Sequence, residues 1–253
     1  MLGGLRRSLA RVTLHAVSIV TVPIIDMETV TPRSRLVTIR LPPDGLAFAP
    51  GQAVLVGTQG QHKRRPYSIA CSPERASETG RLELLVAVDI GGSPGAHLAY
   101  AGPGTLVDLE GPTGAFTLPN VKPDHRVLCV AGGTGIAPLR SMLDHLLRRD
   151  DAPRISLLYS ARRGDEFAFI DELHEHATEG RLELHQTVTR DPSARWSGRR
   201  GRIGRSHFQS VLHEPTVTLC LVCGPESMVK ESVSTLTALG VPDVQIRTEQ
   251  WAR

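Results

Sequence analysis

The chain has 253 residues, 40% of them hydrophobic and 22% charged. Those proportions exclude a mostly disordered protein and allow two domains, each with its own core. Twenty-nine Lys and Arg against 26 Asp and Glu leave a net charge of only +3, which argues against nucleic acid as the main partner.

Near the start, Arg6, Arg7 and Arg11 precede an apolar stretch, Val17 to Ile25, interrupted by Ser18, Thr21 and Pro23. It falls short of the roughly 20 residues of a spanning helix. No small-residue cleavage site accompanies the arginines, so residues 1–22 read as an N-terminal tail rather than a targeting segment. Short β-rich runs follow at Arg35–Leu41, Ala53–Thr58, Tyr67–Cys71, Arg81–Val88 and Thr105–Leu109, with turn signals such as Pro42-Pro43-Asp44-Gly45 between them. That spacing predicts a small antiparallel barrel over 23–121.

After Pro123 the rhythm changes. Apolar runs Arg126–Ala131, Arg154–Tyr159, Arg181–Val188, Thr216–Cys223 and Asp243–Arg247 alternate with helical stretches, which predicts a parallel sheet with crossover connections over 122–253. The polar linker Asn120–Asp124, bracketed by Pro119 and Pro123, marks the boundary.

Three stretches carry chemistry. Lys63-Arg64-Arg65-Pro66-Tyr67-Ser68 joins a cation, an aromatic and a hydroxyl on an emerging strand, which suits a flavin nucleotide or another phosphorylated aromatic ligand. Gly132-Gly133-Thr134-Gly135-Ile136-Ala137-Pro138 runs from a strand into the helical stretch Leu139–Arg149. Its glycines let backbone N–H groups approach a pyrophosphate, although Pro138 stands where the usual dinucleotide fingerprint has its third glycine. Arg162 and Arg190, at the ends of the next two strands, suit the 2′-phosphate of NADPH, or else are solvated surface charges. Cys220 and Cys223 have C-x-x-C spacing, but residues an odd number apart on a strand point to opposite faces, which argues against a metal site. Cys223 instead falls at the ligand-binding edge of the sheet, and Gly224-Pro225 opens the next helix with Pro225 in its first turn. The four scattered cysteines form no disulfide framework and indicate a reducing, cytoplasmic setting.

Arg65-Pro66-Tyr67-Ser68, the glycine loop and Cys223-Gly224-Pro225 occur in the order and at about the distances of the ferredoxin–NADP reductase-like flavoproteins, which the chain resembles from about Ile24 onward. Gly111-Pro112-Thr113-Gly114-Ala115-Phe116 resembles the end of that family's barrel. Trp196-Ser197-Gly198-Arg199-Arg200-Gly201-Arg202 resembles a segment of its oxygenase-reductase branch. The resemblance implies an antiparallel six-stranded FAD-binding barrel followed by a parallel-sheet α/β domain for NADPH or NADH. By this resemblance Arg65 pairs with the FAD diphosphate, Pro66 and Tyr67 pack near the isoalloxazine or ribityl, and Ser68 bonds near flavin N5. Gly133, Thr134, Gly135, Ile136, Ala137 and Pro138 line the coenzyme pyrophosphate, Cys223 with Gly224 and Pro225 lies beside the nicotinamide, and Glu249 adds a polar group. Trp251 either covers the flavin ring or packs on the barrel for burial alone. Gly92-Ser93-Pro94-Gly95-Ala96 stands where the family has Gly-x-x-Ser; Gly95 replaces the serine, which leaves FMN compatible as well as FAD.

The family's plant-type iron–sulfur domain needs a cysteine spacing that this chain lacks, so electrons are expected to leave to a separate protein such as a ferredoxin, a haem protein or an oxygenase component. Arg199, Arg200, Arg202 and Arg205 form either a docking face for it or a solvated loop. The rival reading is a non-catalytic nucleotide- and flavin-binding subunit of a larger complex.

Overall fold

The computed structural model describes residues 19–88, 98, 101–193 and 195–251. Its first half is a six-stranded antiparallel sheet: β1 (Ile19–Thr31), β2 (Ser34–Arg40), β3 (Ala53–Thr58), β4 (Arg65–Ser68), β5 (Arg81–Ala87) and β6 (Leu106–Thr113). The order is β4-β3-β6-β1-β2-β5, and an antiparallel bridge between Ile69 and Leu84 joins the two outer strands and closes the barrel. Period-2 alternation turns Val22, Ile24, Val37, Ile39, Val54, Val56, Leu82, Leu84, Val107 and Leu109 inward as one core. Between β4 and β5 lies α1 (Pro73–Thr79). Its Ser72 cap accepts a hydrogen bond from the Arg75 N–H at 3.1 Å, and Gly80 ends it in the left-handed conformation.

The second half is a parallel sheet flanked by helices. Its elements are β7 (Arg126–Gly132), α2 (Ile136–Leu147), β8 (Arg154–Ala161), α3 (Ile170–Thr178), β9 (Glu183–Val188), β10 (Arg199–Arg200), α4 (Arg205–Gln209), β11 (Thr218–Pro225), α5 (Glu226–Ala238) and β12 (Ile246–Trp251). The order β10-β9-β8-β7-β11-β12 reverses direction at β7 and β11. In open parallel sheets that reversal opens a crevice at the carboxyl ends of the strands. Residues of α2 and α3 pack with one face of this sheet, in a core that also takes in Ala70, Leu85 and Phe116 of the first half; α4 and α5 cover the other face.

Several sequence expectations shift. The first barrel strand begins at Ile19, inside the expected tail 1–22, because Ile19 to Val22 pair with Glu110 to Val107 of β6. The last strand runs Ile246–Trp251 rather than Asp243–Arg247, so Glu249 and Trp251 lie in a paired strand instead of a trailing end. The helix after the glycine loop starts at Ile136, with Pro138 in the first turn, where a missing N–H breaks no helical bond. Pro225 closes β11 and caps α5 one position earlier than expected.

Candidate functional site

Two strand ends meet at the switch point. β7 runs into Gly133, whose φ of +55° places it in the left-handed region that favours glycine. Gly135 approaches β11 so closely that a Cβ there would stand 2.3 Å from the Cys223 carbonyl oxygen. Glycine at 135 therefore lets the loop seat against Cys223. Buried Tyr159 ties the loop down from β8: its hydroxyl donates to the Gly133 carbonyl at 3.1 Å and accepts from the Ala168 N–H at 3.1 Å.

The parallel register sets Cys223 beside Glu249 on neighbouring β11 and β12. The Glu249 Oε2 accepts from the Ser68 hydroxyl at 3.2 Å and from the Cys223 thiol at 3.8 Å. Two side chains from distant parts of the sequence, one of them from the barrel, thus converge on one carboxylate oxygen of Glu249. Burial pushes the Cys223 thiol well above its ordinary range, and the Glu249 charge adds to the shift, so the sulfur stays protonated. Burial also raises the Glu249 carboxyl, against the lowering effect of the bonds from Ser68 and Cys223. Cys220 faces away from Cys223, in the core on the other side of the sheet.

A cleft of about 980 Å³ opens between barrel and sheet. Its lining brings together Arg65 of the barrel, Gly133 and Thr134 of the loop, Arg162 and Arg190 at strand ends, and Pro225. Arg190 donates its backbone N–H to the Arg162 carbonyl at 2.8 Å, which holds the two strand ends side by side. Gly135, Ile136, Ala137 and Pro138 are buried behind the lining at the start of α2, and Gly224 is buried under Pro225. Pro66 and Arg65 are exposed on β4. Tyr67 packs in part against the barrel core, and burial pushes its phenol up to about 12 against the lowering effect of the Arg65 charge. The expectations for Gly92, Ser93, Pro94, Gly95 and Ala96 fall outside the described residues, and of Trp251 only the backbone pairing with Pro225 is described.

The arginine-rich segment has structural tasks of its own. Arg200 donates to the carbonyls of Asp191, Ser193 and Trp196, Arg199 donates to Ser210 Oγ at 3.0 Å, and Arg202 lies 3.7 Å from Glu231 at the cleft. The Trp196 indole N–H donates to the Arg199 carbonyl at 2.8 Å, and its ring stacks on Phe167 with centroids 5.4 Å apart. Sequence reasoning missed the barrel-side lining of Thr31, Arg33 and Ser34; the Thr-Pro-Arg-Ser turn between β1 and β2 was the available signal.

The cleft fits phosphate-bearing dinucleotides. It has an open, left-handed glycine at a strand end with nothing within 4 Å of a Cβ built there, cations on both walls and a dinucleotide-sized volume. Barrel, switch-point sheet and cleft together define a two-module flavin- and nicotinamide-binding oxidoreductase class. A family model described as "Oxidoreductase FAD-binding domain" matches residues 21–118, and one described as "Oxidoreductase NAD-binding domain" matches 129–234. Ferredoxin–NADP reductase B of Sorangium cellulosum is 32% identical over 222 residues, covering 82% of this chain and 88% of that protein. The NADH-cytochrome b5 reductase-like protein alnC of Emericella nidulans is 31% identical over 212 residues, covering 82% of this chain but only 44% of that protein. Among solved structures, the ferredoxin reductase in carbazole 1,9a-dioxygenase superposes with a TM-score of 0.80 at 24% identity, covering 94% of this chain and 71% of that one; it is a likeness of fold. The chain belongs to the ferredoxin–NADP reductase-like family of FAD- and NAD(P)H-dependent flavoproteins.

Proposed function

We propose that the chain is an NAD(P)H-dependent flavin oxidoreductase that draws electrons from NADPH or NADH and passes them to a separate electron-transfer protein of the ferredoxin, haem or oxygenase-component kind. The observation that carries this reading is the convergence of Ser68, Cys223 and Glu249, from two modules, where the glycine loop meets β11. Bound flavin supplies a centre that takes a hydride from nicotinamide and gives up electrons singly.

The chain's own residues bind, orient and exclude water. Arg65 meets a diphosphate from the barrel wall, with the Gly92–Ala96 segment expected to share that task. Gly133 and Thr134 present backbone N–H groups to the coenzyme pyrophosphate, while Arg162 and Arg190 meet a 2′-phosphate. The neutral Cys223 thiol, buried at the strand end against which the glycine loop seats, would act by position rather than as a nucleophile. The Ser68 hydroxyl donates to Glu249 Oε2 in this structure, and the pair could hold a proton where the barrel meets the sheet. Residues to about 121 form the flavin module and 122–253 the coenzyme module. No helix among the described residues is long and apolar enough to cross a membrane; with four buried, unpaired cysteines, a cytoplasmic setting is part of this reading.

The test is the purified protein itself. A flavin absorption band, bleached by NAD(P)H without oxygen and restored by an artificial acceptor, supports the reading. Cys223→Ser should slow the bleaching and leave the band intact. A colourless protein that cannot be reconstituted overturns the flavin assignment, and a flavin that NAD(P)H cannot reduce favours a non-catalytic subunit.

A further inference from the structure

One helix of the coenzyme module buries an arginine against the flavin module, and nothing in the cleft chemistry accounts for it. Arg140, in the second turn of α2, is only 4% exposed. Its Nη1 donates to the Ala70 carbonyl at 2.9 Å and to Glu83 Oε2 at 2.5 Å, while Nε and Nη2 grip the Glu172 carboxylate on α3 at 3.0 and 2.7 Å. The guanidinium also lies 4.2 Å over the Phe169 ring. Burial opposes its charge, but Glu172 and Glu83 outweigh that and hold the side chain cationic.

The neighbours of Arg140 continue the pattern. The Ser141 hydroxyl donates to the Cys71 carbonyl at 2.7 Å, and Asp144 Oδ2 accepts from the Ser72 N–H at 3.2 Å. Three successive residues of the flavin module, Ala70, Cys71 and Ser72, therefore each have a backbone polar group taken up by a side chain of α2. That segment begins two residues after Ser68, and α2 begins directly after the glycine loop. The two ends of this short path are the groups that the proposed function brings together where the barrel meets the sheet.

We propose that Arg140, with Ser141 and Asp144, is a positioning clamp that sets the separation between Ser68 on the barrel and the glycine loop with Cys223 on the sheet. The inference rests on the hydride-transfer reading above. Arg140 acts through the Ala70 carbonyl and touches neither coenzyme nor flavin. Its guanidinium fork engages three segments at once, which a lysine ammonium cannot reproduce.

The experiment uses FAD-loaded wild type, Arg140→Met, Arg140→Lys and Ser141→Ala. The limiting rate of flavin reduction by NAD(P)H, the coenzyme KM and the rate of reoxidation by ferricyanide after dithionite reduction are measured for each. The clamp predicts that Arg140→Met slows reduction about tenfold or more, because transfer is steep in distance, with KM within about threefold of wild type and reoxidation unchanged. Arg140→Lys should fall between the two. Reduction within about twofold of wild type, or reoxidation slowed in parallel with reduction, overturns the clamp. Should Arg140→Met lose its flavin or fail to fold, Ser141→Ala decides: reduction slowed about two- to threefold with normal reoxidation supports the clamp, and rates equal to wild type overturn it. A wild-type flavin that NAD(P)H does not reduce refutes the underlying reading first, and the clamp with it.

Discussion

Gly135→Ala tests how the site is assembled. A Cβ at that position would lie 2.3 Å from the Cys223 carbonyl oxygen and 2.7 Å from its carbonyl carbon. Both atoms belong to the backbone of β11, which is paired on one side with β7 and on the other with β12, so neither can swing aside. Restoring an ordinary contact of 3.4 Å requires the glycine loop to retreat by about 1 Å. Overpacking of this kind costs about 1–3 kcal/mol, and at about 2–4 °C per kcal/mol in a chain of this size the melting temperature should fall by several degrees. The catalytic loss should be larger in proportion, because a misplacement of about 1 Å between reacting groups costs up to about a hundredfold in rate. Anaerobic stopped-flow reduction by saturating NAD(P)H, set beside thermal unfolding, measures both. Gly180→Ala, after α3 and outside the cleft lining, is the control: its Cβ meets nothing within 4 Å, and the left-handed backbone (φ +72°) costs about 1–2 kcal/mol without pushing the loop off Cys223. It should lose comparable stability with far less of the limiting rate. Wild-type reduction in Gly135→Ala, or equal losses of rate in the two variants, would refute the reasoning.

Arg65→Ala should weaken flavin retention by about tenfold, the low end of the 1.5–3 kcal/mol of a charge-assisted contact because Arg65 is exposed; full occupancy after dialysis would remove it from the diphosphate site. Arg190→Ala should lower kcat/KM for NADPH relative to NADH, and an unchanged ratio would show that its guanidinium meets no 2′-phosphate. Glu249→Gln carries a pH signature. The raised folded-state pKa of Glu249 means that its contribution to stability is fully present below its unfolded value of about 4.3 and is lost as pH rises through the folded value. The variant should therefore melt at or above wild type at neutral pH, with the difference shrinking as the pH falls toward 4. A melting temperature below wild type at neutral pH, with no trend against pH, would contradict the buried carboxylate.

Much of this arrangement was legible in the sequence because it rests on local rules. Alternating apolar residues, turn signals and the later strand–helix rhythm specify a barrel followed by a parallel sheet. The glycine loop and Cys223-Gly224-Pro225 announce strand ends by backbone chemistry alone. The odd spacing of Cys220 and Cys223 foretold that they would face opposite sides of a strand. Local rules are weaker for the first and last strands. Ile19 to Val22 become strand through pairing with β6, some 87 residues away in the sequence at Thr21 and Asp108. Thr248 to Trp251 do so through pairing with β11.

Tertiary structure alone decided what meets what. Glu249 has no motif around it; register against Cys223 and packing against the barrel bring its carboxylate to Ser68, 181 residues distant. The arginines at 199, 200, 202 and 205 read as docking face or solvated loop, and the fold gives Arg199, Arg200 and Arg202 partners within the chain. Arg140 carries no motif in the sequence. It became a buried, three-way contact because the carbonyl and carboxylates that offset its desolvation come from three segments far apart in sequence, and only the folded chain gathers them.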